Sequence, residues 1–218
     1  MKNLKQIALV AFTILSTQFY AQSKTGAVTY EMTMPDNEQV AQMGTNTIKI
    51  SFTEKSTATQ MDMMGGMISV KTITLDKNNP KDSRMLMDAM GTKYEITGET
   101  ENFGNSDIGS LKDAESVTYD KKDTKEILGY KCYKATVKMT GGAIGKFYIT
   151  EAIATQTKAT DKLKLAGFPL EIEAGEGEGK VILKATAFDK AVSANCFVVP
   201  EGYKKVTQEE LQKELGGQ

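Results

Sequence analysis

Tyr130-Lys-Cys-Tyr-Lys-Ala-Thr-Val-Lys-Met139 alternates over ten residues. Tyr133, Ala135, Val137 and Met139 fall on one side, and Cys132, Lys134, Thr136 and Lys138 on the other. A period of two marks a strand with one buried face. Val117–Tyr119 and Lys125–Leu128 before it, and Ile144–Thr150 after it, continue the pattern, with Gly141-Gly142 as a hairpin turn. These segments read as an antiparallel meander. The alternation sets Cys132 on the more polar face, to be covered there by a crossing C-terminal segment.

The same period runs outward in both directions. Gly26–Met34 places Val28, Tyr30, Met32 and Met34 together, opposite Ala27, Thr29, Glu31 and Thr33. Pro35-Asp36 stops that strand, and Asp36 caps a short helix carrying Val40 and Met43. Further strands are predicted at Thr47–Thr53, Ser56–Met63, Gly66–Leu75, Arg84–Met90 and Lys93–Ile96, with turns at Gly65-Gly66 and Asn78-Asn79-Pro80. Gly98–Asp113 is acidic and poor in large apolar residues, which predicts a loop or flap.

Toward the C-terminus, Leu170–Glu173 and Lys180–Phe188 flank the acidic hairpin tip Ala174-Gly-Glu-Gly-Glu-Gly179. Its carboxylates repel phosphate, and a flexible tip is a poor cation cage. A strand at Asn195–Val199 and a Pro-Glu-Gly turn precede a helix at Gln208–Leu215. Thr207 and Glu210 make a capping box there, and Val206 with Leu211 a hydrophobic staple. No repeat or linker divides the chain. The fold class is mainly β with minor α, in a single domain spanning 22–218.

Residues 1–21 read as a cleavable signal peptide. Lys2 and Lys5 form a basic start, Ile7–Leu15 is apolar but too short to span a bilayer, and Ala21 is a small residue at the cut. Export predicts a periplasmic or extracellular address, with no transmembrane segment after cleavage. Removing Lys2 and Lys5 from 27 basic residues leaves a formal net charge of −3 against 28 acids, with no basic footprint for nucleic acid.

With no histidine there is no imidazole base, His-based triad or His metal ligand, and no tryptophan supplies a stacking platform. No spacing suggests carboxylate, Ser/Lys or Cys catalysis, so a non-enzymatic protein without a cofactor is expected. An oxidising compartment makes Cys132–Cys196 the expected disulfide, with two free structural thiols as the alternative.

Methionine is the compositional oddity, at 12 residues. Met61, Met63, Met64 and Met67 form one patch, and Met85, Met87 and Met90 another. Three readings stay open: flexible core filler, the wall of an adaptable apolar cavity, or a soft-metal (copper) site through Met61, Met64 and Met67.

Three motifs stand in order: Asp123-Thr-Lys-Glu-Ile-Leu-Gly-Tyr-Lys-Cys132, Lys164-Leu-Ala-Gly-Phe-Pro-Leu-Glu171 and Phe197-Val-Val-Pro-Glu-Gly-Tyr203. Their order resembles a family of exported bacterial proteins of unknown function. It is also similar to the family named for its Gly-Leu-Pro-Gly-Leu-Ile motif, with Gly167-Phe-Pro-Leu-Glu171 at that position. Such families look similar to periplasmic lipoprotein carriers. That resemblance implies a curved antiparallel sheet, or half-open β-barrel, with a concave apolar face closed by loops or helices. The expected function is binding of an apolar or amphipathic ligand such as a lipid. The expected lining is Met61, Met63, Met85, Met87, Phe147 and Phe168. A structural or protein-interaction module of the cell envelope, meeting a protein partner through its sheet face or edge, is the alternative.

Overall fold

The structure, a computed structural model, describes residues 22–39, 44–79, 83–97, 111, 113–156 and 163–216. Residues 1–21, the helix positions Val40 and Met43, and most of the expected loop at 98–113 lie outside the described residues.

The period-two segments form strands close to their expected bounds. They are β1 (Gly26–Thr33), β2 (Asn46–Phe52), β3 (Thr57–Met63), β4 (Ile68–Thr74), β5 (Ser83–Ala89) and β6 (Thr92–Thr97). The second half adds β7 (Ala114–Ile127), β8 (Tyr130–Met139), β9 (Ile144–Thr150), β10 (Phe168–Ala174), β11 (Val181–Asp189) and β12 (Lys204–Thr207). One helix, α1 (Gln208–Gly216), follows. All twelve strands join one sheet in the order β12-β6-β5-β4-β3-β2-β1-β11-β10-β9-β8-β7. Every pairing is antiparallel except β12 with β6.

The sheet is strongly curved. Adjacent strands lie about 4.8 Å apart, so residues three strands apart in a flat sheet are separated by about 14 Å. Phe52 on β2 and Phe168 on β10 are three strands apart, yet their rings stack with centroids 5.5 Å apart. Tyr130 on β8 meets Phe188 on β11 edge-on at 5.7 Å across the same number of strands. The Tyr30 hydroxyl on β1 donates to the Pro169 carbonyl on β10 at 2.6 Å, two strands away. The face carrying these side chains is therefore concave.

Two clusters fill the ends of that concave face. The larger gathers Val28, Tyr30, Ile48, Phe52, Phe147, Ile149, Leu170, Ile172 and Leu183. Leu111, Ile153 and Leu165, from the segments between strands, bury themselves in it. The smaller seats Leu211 of α1 and Val206 of β12 on Met85, Tyr94 and Ile96. The capping box forms as read: Glu210 N–H donates to Thr207 Oγ1 at 3.2 Å, and Thr207 N–H donates to Glu210 Oε2 at 2.8 Å. On the convex back, Phe197, Val199 and Tyr203 cover Ala58, Ile73 and Leu86.

Several expectations are corrected. Asn195–Val199 is not a strand: a 3-10 helix spans Ala194–Phe197, with the Ser193 side chain accepting from the Asn195 N–H. Val117–Tyr119 and Lys125–Leu128 belong to one long strand, β7, in which residues 121–123 stay unpaired at a register shift between Asp120 and Thr124.

The expected disulfide is absent: Cys132 and Cys196 are both free thiols. Cys132 is fully buried in the large cluster, whereas the 3-10 helix carrying Cys196 lies at the back, against β3. Five strands lie between β8 and β3 in the sheet, which places the two thiols in separate parts of the molecule. Nor does the C-terminal segment cover Cys132: Phe197, Val199 and Tyr203 lie over Ala58, Ile73 and Leu86 instead. Cys132 lies opposite Lys125 and is buried, as are Ala135 and Val137 of the other parity, so β8 is covered on both sides.

Candidate functional site

Between the two concave clusters, β2–β5 carry a strip of side chains that neither buries fully, Ile50 and Met61 packing against the larger and Val70 and Met87 against the smaller. Register assigns its rows, because residues directly opposite on paired strands share a face. One row runs Ile48, Met61, Val70, Met87 and Tyr94. The next runs Ile50, Thr59, Thr72, Met85 and Ile96. A third pairs Met63, Ile68 and Ala89, and a fourth Phe52, Thr57, Thr74 and Ser83. Ile48, Tyr94, Met85 and Ile96 of the two central rows are buried in the clusters, but Ile50, Thr59, Met61, Val70, Thr72 and Met87 are only half-buried. So are Met63 and Ile68.

The strip changes character along the strands. At one end Thr57, Thr74 and Ser83 supply hydroxyls, and Thr74 Oγ1 lies 2.9 Å from Ser83 Oγ. Beyond that end, the Lys77 ammonium donates to the Thr53 carbonyl at 2.5 Å and to Gln156 Oε1 at 2.6 Å. This ties the ends of β2 and β4 to the segment after β9. Burial holds the Lys77 pKa below its ordinary value, partly offset by Glu54. At the other end a 3-10 helix (Met64–Gly66) and the Met90-Gly91 turn form a rim. Met67 and Met90 are 51% and 83% exposed there, joined by the Met90 N–H donating to the Met67 carbonyl at 2.8 Å.

Of the six residues expected to line a cavity, Met61, Met63 and Met87 lie on the half-open strip. Met85 is buried under α1, and Phe147 and Phe168 are buried in the large cluster. The soft-metal set is divided: Met61 packs against the large cluster, while Met67 is exposed at the rim. Among the described residues, no three His, Cys, Asp or Glu side chains gather to hold a metal ion. Composition passed over Ile50, Ile68, Val70, Thr59 and Thr72. Their signal was the strand register, which the hairpin turns at Gly65-Gly66 and Met90-Gly91 set.

The convex face of the second half carries charge instead. Lys125 pairs with Glu171 at 2.5 Å and lies 3.6 Å over the Tyr148 ring. Asp123 accepts from Lys134 at 3.0 Å and from the Tyr148 hydroxyl at 2.9 Å, and these bonds, Lys134 first, hold its carboxyl below the ordinary range. Lys146 and Lys180 converge on Glu173 at 3.2 and 3.3 Å. Each carboxylate is met by an ammonium, which makes this face a solvated lattice of ion pairs.

No family model matches the chain, and no curated protein matches its sequence. Solved structures show a remote likeness. PNGF-II has a TM-score of 0.47 at 11% identity, covering 89% of this chain and 33% of that one, so this chain spans about a third of its length. The lipoprotein LppX of Mycobacterium tuberculosis has a TM-score of 0.40 at 9% identity, over 77% of this chain and 88% of that one. A LolA superfamily protein of Nitrosomonas europaea has a TM-score of 0.31 at 6% identity, over 81% and 91%.

Proposed function

We propose that this chain is an exported, non-enzymatic binding protein that holds an apolar or amphipathic molecule, such as a lipid, on its concave face. One observation carries the reading: a strip of half-exposed methionine and aliphatic side chains crosses β2–β5 between two packed clusters. Apolar surface left open inside a concavity favours an apolar guest at about 25 cal/mol per Å² buried. Methionine suits the task, since its unbranched thioether adapts to guests of different shape. Kinship with the exported families named by the Cys132, Gly167 and Tyr203 motifs belongs to the same proposal, supported by the order of those motifs.

Native mass spectrometry of freshly purified protein and uptake of a fluorescent lipid test it. A bound adduct or saturable uptake is expected, and neither appearing counts decisively against the reading. Val70→Glu, in the middle of the strip, is expected to weaken uptake at least tenfold. Asp62→Asn, one residue beyond Met61 and on the opposite face, is expected to leave it unchanged.

A second reading, a protein-interaction module, is favoured by β7. This 14-residue edge strand pairs with β8 alone among the described strands. Against strand addition at that edge stand its row of exposed charges and its unpaired residues 121–123, which guard an edge, so the binding reading keeps the stronger support.

A further inference from the structure

The concave positions of β2–β6 carry no charged side chain. The charges of these strands all stand on the other face: Lys49, Asp62, Lys71, Arg84, Asp88, Lys93 and Glu95 alternate with the concave residues. In a chain that is 25% charged, a five-strand face free of charge is a specific chemical surface. It is also graded. Thr57, Thr74 and Ser83 lie at one end, Thr59 and Thr72 one row in, and Met61, Val70 and Met87 beyond them, with Met63 and Ile68 at the far end.

From this gradient we infer that the preferred guest is an uncharged amphiphile, of the acylglycerol or fatty-alcohol class. Its hydroxyl-bearing head lies on the threonine–serine end and its chain runs toward the methionine rim. The inference rests on the lipid-binding reading and adds the head-group class and the direction. Hydroxyls of Thr57, Thr59, Thr72, Thr74 and Ser83 both donate and accept, so they match ester and hydroxyl groups. An ionised head set on the same rows loses water and gains no counter-ion. The ammonium beyond that end, Lys77, already donates to Thr53 and Gln156 and has Glu54 as its neighbouring carboxylate.

The test is a displacement titration at pH 8 with the neutral fluorophore N-phenylnaphthylamine, using three competitors of equal chain length. These are monomyristoylglycerol, myristate and tetradecyltrimethylammonium. The monoglyceride is expected to displace the probe at a concentration at least tenfold below either ion. Thr72→Lys is expected to raise myristate to parity with the monoglyceride or beyond it, and to weaken the cation further. Myristate equalling the monoglyceride on the unaltered protein overturns the head-group assignment while leaving lipid binding in place. An unchanged ranking in Thr72→Lys, with circular dichroism showing the fold intact, overturns it too. Failure of the probe and of all three competitors to bind instead removes the lipid-binding reading itself. For the direction, a monoglyceride with a diazirine at the chain terminus is expected to label peptides containing Met63, Ile68 or Met87. Labelling concentrated on Thr74 and Ser83 reverses the assignment.

Discussion

Burial pushes the Cys132 thiol up to about 11, and its Sγ–H donates to the Tyr130 carbonyl at 3.5 Å. Only the thiolate is a nucleophile, so this cysteine is chemically silent at neutral pH. Cys196, half-buried in its 3-10 turn, is the accessible one. A thiol reagent such as dithionitrobenzoate is therefore expected to titrate Cys196 alone in the native protein, and Cys132 only after denaturation. A purified native protein in which neither thiol reacts, yet both do after reduction, would mean that the two are paired. At this scale the sequence was legible in part. The apolar sides of β1 and β2 follow from alternation, and Tyr30 and Ile48 are buried as that pattern requires. Alternation set Cys132 on the side of Lys134 but could not show how deeply neighbouring strands bury it there.

Two hairpins turn on residues whose side chains suit the turn poorly. Met90 has φ 52° and Leu128 φ 54°, each followed by a glycine that also has positive φ, Gly91 at 91° and Gly129 at 77°. This two-residue turn matches the twist of its strands but favours Asn, Asp or Gly at its first position. A side chain there costs about 1 kcal/mol through the clash of Cβ with the backbone. Met90 is 83% exposed, so it recovers little by packing. Met90→Gly is expected to raise the unfolding free energy by about 0.5–1 kcal/mol in urea titration, while the m-value stays constant. Loss of stability would mean that the Met90 side chain packs in solution. Most strands were legible because each keeps a period of two over six or more residues. The missed β12 has four residues, of which only Val206 is buried, too short for a period to register. Asn195–Val199 looked extended, yet Ser193 opens a 3-10 turn there, its side chain accepting from the Asn195 N–H and its carbonyl from the Cys196 N–H. The strip was half legible for a related reason. Methionines stand out in composition, whereas threonine, valine and isoleucine become its floor only through cross-strand register.

The protein has no histidine, so no side chain has its ordinary pKa between the carboxyls and the thiols. Shifts at both ends of the pH scale then act on the folded sheet as a whole. Asp123, Glu151 and Glu173 are held below the ordinary carboxyl range by hydrogen-bonded partners, Lys134, Tyr133 and Lys146 in turn. A lowered folded pKa gives stability that is present above the unfolded value near 4 and is lost as pH falls through the folded one. Tyr30 and Tyr133 are raised, both chiefly by burial, as is Cys132. A raised folded pKa gives stability that is complete below the unfolded value and is lost as pH rises through the folded one. Urea midpoints are therefore expected to stay level from about pH 5 to 8, to fall below pH 4, and to fall again above pH 9 as the thiol and then the phenols deprotonate in the unfolded chain. Tyr30→Phe separates the alkaline arm from general fragility. It leaves the Pro169 carbonyl without its donor, which costs about 1–2 kcal/mol at pH 7. It also removes one proton from the linkage, so above pH 10 the decline in unfolding free energy is expected to be shallower by up to about 1.4 kcal/mol per pH unit. An alkaline arm of unchanged slope in Tyr30→Phe would show that the phenol linking β1 to β10 does not couple the curl of the sheet to pH.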